Sequence, residues 1–380
     1  MANTLGFYNP AFYANEALIH LRKALGFANR IHLGYDAERR TFDRGDTINI
    51  KTPSTFTVQN APATAEDLDT GSTSLILDQW KEVKFKLSDK ELAFTGQQII
   101  NDHISPAAYA IADFIDQQGV ALYADVPWYA DATATPVPGD LAAAYKVLFN
   151  NNVPVWDQQN LHMMIDGDMQ EALTSNSAFA QHQGAGSEGV ATQMRGTLGR
   201  KYGFEVFANQ NTPSHTKGTA STPTLAVDGL TAKGATTINL DAGTVTGTLV
   251  PGDTFVIAGN TQRYAVTNTV TAATNAFVGV EITPALVEAA ADDAVVTASL
   301  DNHVSNLGFH RNFAAIAFGK LPVMGRELGA KVASVQDPVT GLAIRSRMYY
   351  VGNSSEVHVA LDVLFGYKTL NPNLAMRLRG

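Results

Sequence analysis

Between positions 11 and 28 apolar residues return at Ala11, Ala14, Leu18, Leu21, Leu25 and Ala28. Steps of three and four place them on one helical face, so an amphipathic helix is expected there. The period then changes to two. Positions 46–58 read as a strand on Ile48, Ile50, Phe56 and Val58, and 74–87 as another on Ile76, Val83, Phe85 and Leu87. The stretch 59–73 between them is polar, carries Glu66, Asp67 and Asp69, and has no apolar period. A long two-stranded ribbon is marginal alone in water, so either the rest of the chain or a neighbouring molecule must cover it.

Ser88 and Glu91 have capping-box spacing, which predicts a helix running toward His103. Ser105-Pro106 predicts the start of a second, longer helix through about position 124, with a wide apolar stripe on Ala107, Ala110, Ile111, Phe114, Ile115, Ala121 and Leu122. Prolines 127, 136 and 138 mark a loop, after which Asp140 is expected to cap a helix through Leu148. Leu161 to Ile165 reads as a short buried strand, Asp166-Gly167-Asp168 as a turn into a helix, and 203–207 as a strand. Positions 309–318 suit a helix or a buried strand. The chain closes on strands at 345–351 and 357–366, the second with Val357, Val359, Leu361, Val363 and Phe365 on one face.

Composition breaks this pattern near Pro213 and restores it near Asn302. That span holds 18 threonines but three of the 33 aromatic residues, Phe255, Tyr264 and Phe277. Turn signals such as Asp228-Gly229, Lys233-Gly234 and Pro251-Gly252-Asp253 separate short alternating runs. The reading is a small all-β domain inserted into an α+β host. It carries three basic and eight acidic residues, so five of the nine excess negative charges sit in it.

Charge and chemistry narrow the classes. Charged residues are 17% of the 380, fewer than usual, which fits a chain that covers its surface with copies of itself. With no cysteine, disulfides, thiolate nucleophiles and cysteine metal sites are excluded. A net charge of -9 argues against gripping a nucleic-acid backbone, and no stretch approaches the apolar length of a membrane span. P-loop, GxGxxG, HExxH and GxSxG motifs are missing. In Gly184-Ala185-Gly186-Ser187-Glu188-Gly189 alanine stands where the last of these needs glycine, so Ser187 is expected to cap a helix. Asp166-Gly167-Asp168 lacks the other ligands of a calcium loop.

Nine histidines (20, 32, 103, 162, 182, 215, 303, 310 and 358) form no metal-ligand pair on a helix. The nearest two, His303 and His310, are expected in a packed turn. Asp292-Asp293 and Glu66-Asp67 read as solvated turns, and Arg377 with Arg379 as too short a basic stretch for nucleic acid, like Arg39-Arg40. No catalytic, cofactor-binding or metal residue is assigned, and no enzyme activity is expected.

Several segments resemble tailed-bacteriophage major capsid proteins. They are Tyr8-Asn-Pro-Ala-Phe-Tyr-Ala-Asn-Glu-Ala-Leu18, Gly34-Tyr-Asp-Ala-Glu-Arg-Arg-Thr-Phe42, Gly45-Asp-Thr-Ile-Asn-Ile50, Leu77-Asp-Gln-Trp-Lys-Glu-Val-Lys-Phe85, Tyr202-Gly-Phe-Glu-Val-Phe207, Asn306-Leu-Gly-Phe-His-Arg-Asn-Phe313, Asp362-Val-Leu-Phe-Gly-Tyr-Lys-Thr-Leu370 and Asn373-Leu-Ala-Met-Arg-Leu378. The group resembled is the P-twenty-two-type coat proteins, in which the fold named after phage HK97 carries an inserted β-barrel. The resemblance implies an α+β, HK97-like fold. Its parts would be an N-terminal arm (1–33), an E-loop hairpin with flanking P-domain strands (34–87), P-domain helices including the spine helix (88–126), and an A-domain (127–212, returning at 303–342). An inserted barrel-like β domain (213–302) and C-terminal A/P-domain strands (343–380) would complete it.

By the same resemblance the function would be that of a major capsid protein, self-assembling into the icosahedral head shell of the virion through N-arm and E-loop contacts. The implied partners are other copies in pentamers and hexamers, a scaffolding protein, a portal protein at one vertex, and a decoration protein as a further candidate. DNA would be enclosed without specific binding, no membrane would be involved, and assembly would take place in the host cytoplasm. The rival expectation from the acidic β insert is a surface-binding, adhesin-like module.

Overall fold

The computed structural model describes residues 10–33, 47–52, 58, 60–61, 65, 71–180, 187–323, 330–337 and 341–380. The fold is α+β, and the chain divides into two compact units, one of residues 1–116 and 315–370, the other of 117–314 and 371–380.

In the first unit helix α1 (Pro10–Ala24) buries Ala14 and Leu21 of the predicted face together with Ala17, and it ends at Ala24, short of the expected Ala28. The chain then turns at Gly26–Ala28, where the buried carboxylate of Asp116 accepts three backbone N–H bonds, from Gly26 (2.7 Å), Phe27 (3.1 Å) and Ala28 (3.2 Å). Backbone donors in a turn need such a partner when water cannot reach them.

Strands β1 (Thr47–Thr52) and β2 (Gly71–Ile76) form the expected antiparallel hairpin, Thr47 opposite Ile76 and Thr52 opposite Gly71. Most of the polar stretch between them lies outside the described residues. The apolar face of the hairpin base is not left for a neighbour: Ile48, Ile50, Leu75 and Leu77 cluster with Ala315, Ala317, Leu364 and Leu370 of the same chain. The expected strand at 74–87 is broken at Leu77–Asp78, beyond which β3 (Gln79–Ser88) leaves β2 and runs along β21 (Glu356–Thr369). The close approach at the break requires a glycine, because a Cβ on Gly366 would lie 2.0 Å from the Ile76 carbonyl oxygen.

Two helices were expected between 88 and 124. There is one, α2 (Asp89–Val120), of 32 residues and so about 48 Å long, with the exposed Pro106 inside it. Proline removes one hydrogen bond and crowds the preceding turn. Burial of Ile104, Ala107, Ala108, Ile111, Ala112 and Ile115 along one stripe outweighs that cost. This stripe meets the predicted apolar face of β21: the Phe114 and Phe365 rings are 6.3 Å apart, and the Tyr367 hydroxyl donates to the Ile115 carbonyl at 3.0 Å. β21 is flanked by β20 (Ala343–Val351), which pairs in turn with β19 (Lys331–Gln336), and β18 (Ala314–Gly319) joins the same sheet. The opposite face carries a polar ladder. Asp362, fully buried, takes the Nε of Arg345 at 3.1 Å, a second bond from the same guanidinium, and the Trp80 indole N–H at 3.1 Å.

The second unit has a sheet ordered β4 (Tyr129–Asp131), β22 (Ala375–Arg379), β17 (His303–His310), β5 (Leu161–Ile165), β7 (Phe204–Ala208) and β6 (Gly199–Lys201). β4 thus lies inside what the prolines suggested was loop. All five residues of β5 are buried, as its apolar run implies. Helix α3 (Pro138–Asn150) covers the sheet through Leu141, Ala144 and Leu148. Asp140 is its third residue, not its N-cap: proline occupies the first position, and the carboxylate reaches back to the Val137 N–H at 2.8 Å and the Thr133 hydroxyl at 2.9 Å. Helix α4 (Gly167–Ser175) is capped by Asp166, which accepts the Met169 N–H at 3.2 Å; α5 (Ser177–Ala180) and α6 (Ser187–Arg195) follow, with 181–186 outside the described residues. The segment 309–318 is extended and buried rather than helical.

Within the same unit six short strands close into a barrel. Their order is β10 (Thr237–Asp241), β15 (Ala276–Thr283), β13 (Arg263–Val266), β12 (Thr254–Ile257), β16 (Val295–Ser299) and β9 (Thr224–Val227). Closure removes the edges along which so short a set of strands would aggregate. The three aromatics of the span, Phe255, Tyr264 and Phe277, all lie in the barrel core. The chain enters through β8 (Ser214–His215) and leaves into β17, and these two pair directly, His303 opposite His215.

Candidate functional site

The neck where the chain enters and leaves the barrel holds a buried polar cluster. His215 comes from β8, His303 from β17, Asp253 from the turn before β12, Tyr123 from the 3-10 turn after α2, and Arg377 from β22. His215 Nε2 lies 3.1 Å from Asp253 Oδ1, and its Nδ1 lies 3.3 Å from the Tyr123 hydroxyl. Both ring nitrogens of His215 are thus paired, Nε2 with the carboxylate and Nδ1 with the phenol. Asp253 is saturated further by the backbone N–H of Val250 at 2.9 Å and of Gly218 at 3.1 Å. A carboxylate buried this deeply is stable only with such donors.

The second histidine packs against the first at a tilt of 44°, ring centroids 5.0 Å apart, and its Nδ1 meets the Asp301 carbonyl at 2.8 Å. Burial pushes the pKa of His303 down to about 4, helped by the nearby Arg377, so it is neutral at pH 7. Arg377 is almost wholly buried and donates to the Gly252 carbonyl at 2.7 Å. Burial lowers its pKa to about 10, which still leaves it charged, and desolvation raises that of Tyr123. Gly252 is obligatory here: its φ is +98°, and a Cβ would lie 2.9 Å from His215 Nδ1.

Beside the neck opens a groove of about 780 Å³, lined by Tyr129, the 217–221 segment, Pro223, Val256, Arg263 and the 297–301 segment. The Tyr129 ring is held between two guanidiniums, Arg379 at 3.5 Å and Arg263 at 4.2 Å from its centroid. Arg379 is neutralised by Asp131 and by Asp301 at 3.3 Å. Lys217 and Arg263 have no carboxylate partner among the described residues.

The other residues weighed from sequence are dispersed. His303 and His310 stand at opposite ends of β17, not in one turn; His310 Nε2 faces Asp157 at 3.5 Å and His162 Nδ1 faces Glu205 at 3.3 Å. His358 lies beside Glu356 and His20 beside Glu16. His103 contacts the Phe85 ring, His32 bridges to Ala315, and His182 lies outside the described residues, as do Arg39, Arg40, Glu66 and Asp67. Arg377 and Arg379, read as too short a basic stretch for nucleic acid, are the buried cation of the neck and one side of the Tyr129 stack. No group of three metal-ligating side chains occurs among the described residues. Sequence reading missed the neck cluster, whose members come from five separated segments; the one local signal was Pro251-Gly252-Asp253, read as a turn.

No family model matches the chain, and no curated protein does. Solved structures do. One from Mycobacterium phage Che8 is similar over 93% of this chain and 90% of its own, with a TM-score of 0.52 at 14% identity. The two share a fold. Two others have lower scores: the capsid structure of Cyanophage P-SCSP1u (TM-score 0.47, 11% identity, 88% of this chain and 84% of that one) and the mature capsid of bacteriophage PhiM1 (0.44, 9%, 89% and 82%).

Proposed function

We propose that the chain is the major capsid protein of a tailed bacteriophage, a structural subunit that assembles with copies of itself into the icosahedral head shell and performs no chemistry. The observation that carries this reading is the fold shared with a phage protein over 93% of the chain. In these terms residues 1–33 are the N-arm, 34–87 the E-loop hairpin and its strands, and 88–126 the P-domain helices with α2 as spine. Residues 127–212 and 303–342 are the A-domain, 213–302 the inserted β domain, and 343–380 the C-terminal strands. The chemistry of the neck supports the same reading. His215, Asp253 and Tyr123 are bonded to one another, which suits a rigid joint between barrel and sheet.

Because the chain covers the apolar face of the hairpin base itself, the part of the hairpin assigned to neighbours is the polar 59–70 stretch with the exposed Val58 beside it. Scaffolding, portal and decoration proteins are the further partners proposed, with the DNA enclosed but not specifically bound. Deleting 59–70 is expected to leave a folded, soluble subunit that no longer forms shells in electron micrographs. Shells at normal yield from that deletion would remove the hairpin from the mechanism.

A further inference from the structure

The 213–302 span carries three basic residues among eight acidic ones, yet two of the three, Lys217 and Arg263, face the same groove. Neither has an ion-pair partner among the described residues. The groove is also half apolar, with Pro223, Val256 and Leu300 in its wall.

A surface of matching character lies at the other end of the same barrel. Strand β16 starts just after the turn that carries Glu288, Asp292 and Asp293 and ends at Ser299 in the groove wall. Its antiparallel partner β9 begins beside Pro223 and ends before Asp228 and Gly229. The acidic turn and the groove are therefore separated by a five-residue strand, roughly 17 Å. The turn is held by Asp292, which accepts the Gly229 N–H at 2.8 Å, and by the bridge between Thr231 and Ala290. Large apolar side chains rise beside its exposed carboxylates, with Leu230 at 78%, Val295 at 51% and Val287 at 45% of full exposure. Exposed aliphatic residues around three carboxylates form a knob, and unpaired cations over an apolar wall form its socket. Both are on one barrel, so one copy cannot join them.

We propose that the acidic turn at 288–293 of one copy docks in the Lys217–Arg263 groove of the next, a head-to-tail contact between barrels. The inference rests on the shell reading and names a second point of contact between subunits, apart from the hairpin. Such a contact uses two different patches, so it propagates and closes into rings when the rotation allows. The charge pairing gives it orientation and partner choice, and the aliphatic side chains give it buried area.

The test is self-association of the full-length protein, followed by sedimentation velocity across protein and salt concentrations. Lys217→Glu with Arg263→Glu, and separately Glu288→Lys with Asp292→Lys, are each expected to weaken association by about tenfold or more, and combining all four changes to restore it. Asp292 also accepts the Gly229 N–H, so Lys217→Glu, Glu288→Lys and their combination form a second series at exposed side chains that make no hydrogen bond or ion pair among the described residues. Thermal melts verify the fold of each variant. Association unchanged by both reversals overturns the contact while leaving the shell reading standing. Losses that the combined variants fail to recover overturn the pairing of these two patches. A wild-type chain that stays monomeric at every concentration overturns this contact; the shell reading is tested separately, with the scaffolding protein present.

Discussion

Asp253 sits where five segments meet, and its oxygens are bonded to the imidazole of His215 and to the backbone of Gly218 and Val250. Replacing it with alanine strands those donors in a buried site, and an unsatisfied buried donor costs about 1–3 kcal/mol. Asp253→Ala is therefore expected to lower the melting temperature measured by calorimetry, and Asp253→Asn, which keeps an acceptor, to lower it less. His303 adds a pH dependence. Its pKa drops from the ordinary 6.5 to about 4 on folding, so between those values the unfolded chain binds more protons than the folded one. Its contribution to stability is complete above pH 6.5 and is lost as pH falls toward 4. Urea midpoints taken across this window should fall with pH, and His303→Gln should flatten that part of the curve. None of these partnerships was legible from spacing. His215, Asp253, His303 and Arg377 lie far apart in sequence, and a histidine destined for a buried network looks the same as one on a surface.

Periodicity resolved the elements well where one face is buried against its own chain. The alternation of β21 faces α2, and the three-and-four spacing of α1 is its buried face. It failed where local chemistry was overruled. Pro106 marks a helix boundary by every local rule, yet α2 runs through it because the residues on both sides belong to one continuous element packed on the sheet. Pro106 is exposed, so Pro106→Ala restores a main-chain hydrogen bond without disturbing the core. It should stabilise the protein by about 1–3 kcal/mol in chemical denaturation, whereas a loss of stability would show that the proline sets a bend the packing needs. The break of the predicted 74–87 strand has a similar origin. Its second half pairs with β21, more than 250 residues away in sequence, and such long-range pairing leaves no local trace. Asp140 was misplaced by three residues because an N3 carboxylate and an N-cap both sit at the start of a helix and serve the same orphan donors.

For the whole molecule, composition was a better guide than any single motif. The Thr-rich, aromatic-poor interval coincides with a closed barrel whose three aromatics are its core, and the alternating turn signals mark its short strands. What composition could not show is that the hairpin base is covered from within. In the proposed shell the contact with a neighbour therefore moves from the apolar strand faces to the polar 59–70 stretch and to the charge-segregated barrel. A chain with 17% charged residues and a net charge of -9 suits the proposed contacts between copies over limited patches better than a grip on a polyanion. The most direct test of this account is electron microscopy of the purified full-length chain, produced alone and together with its scaffolding protein. The account predicts closed, hollow particles of uniform size whose subunits fit the fold described above. A chain that remains a monomer or collapses into irregular aggregates under both conditions would contradict it.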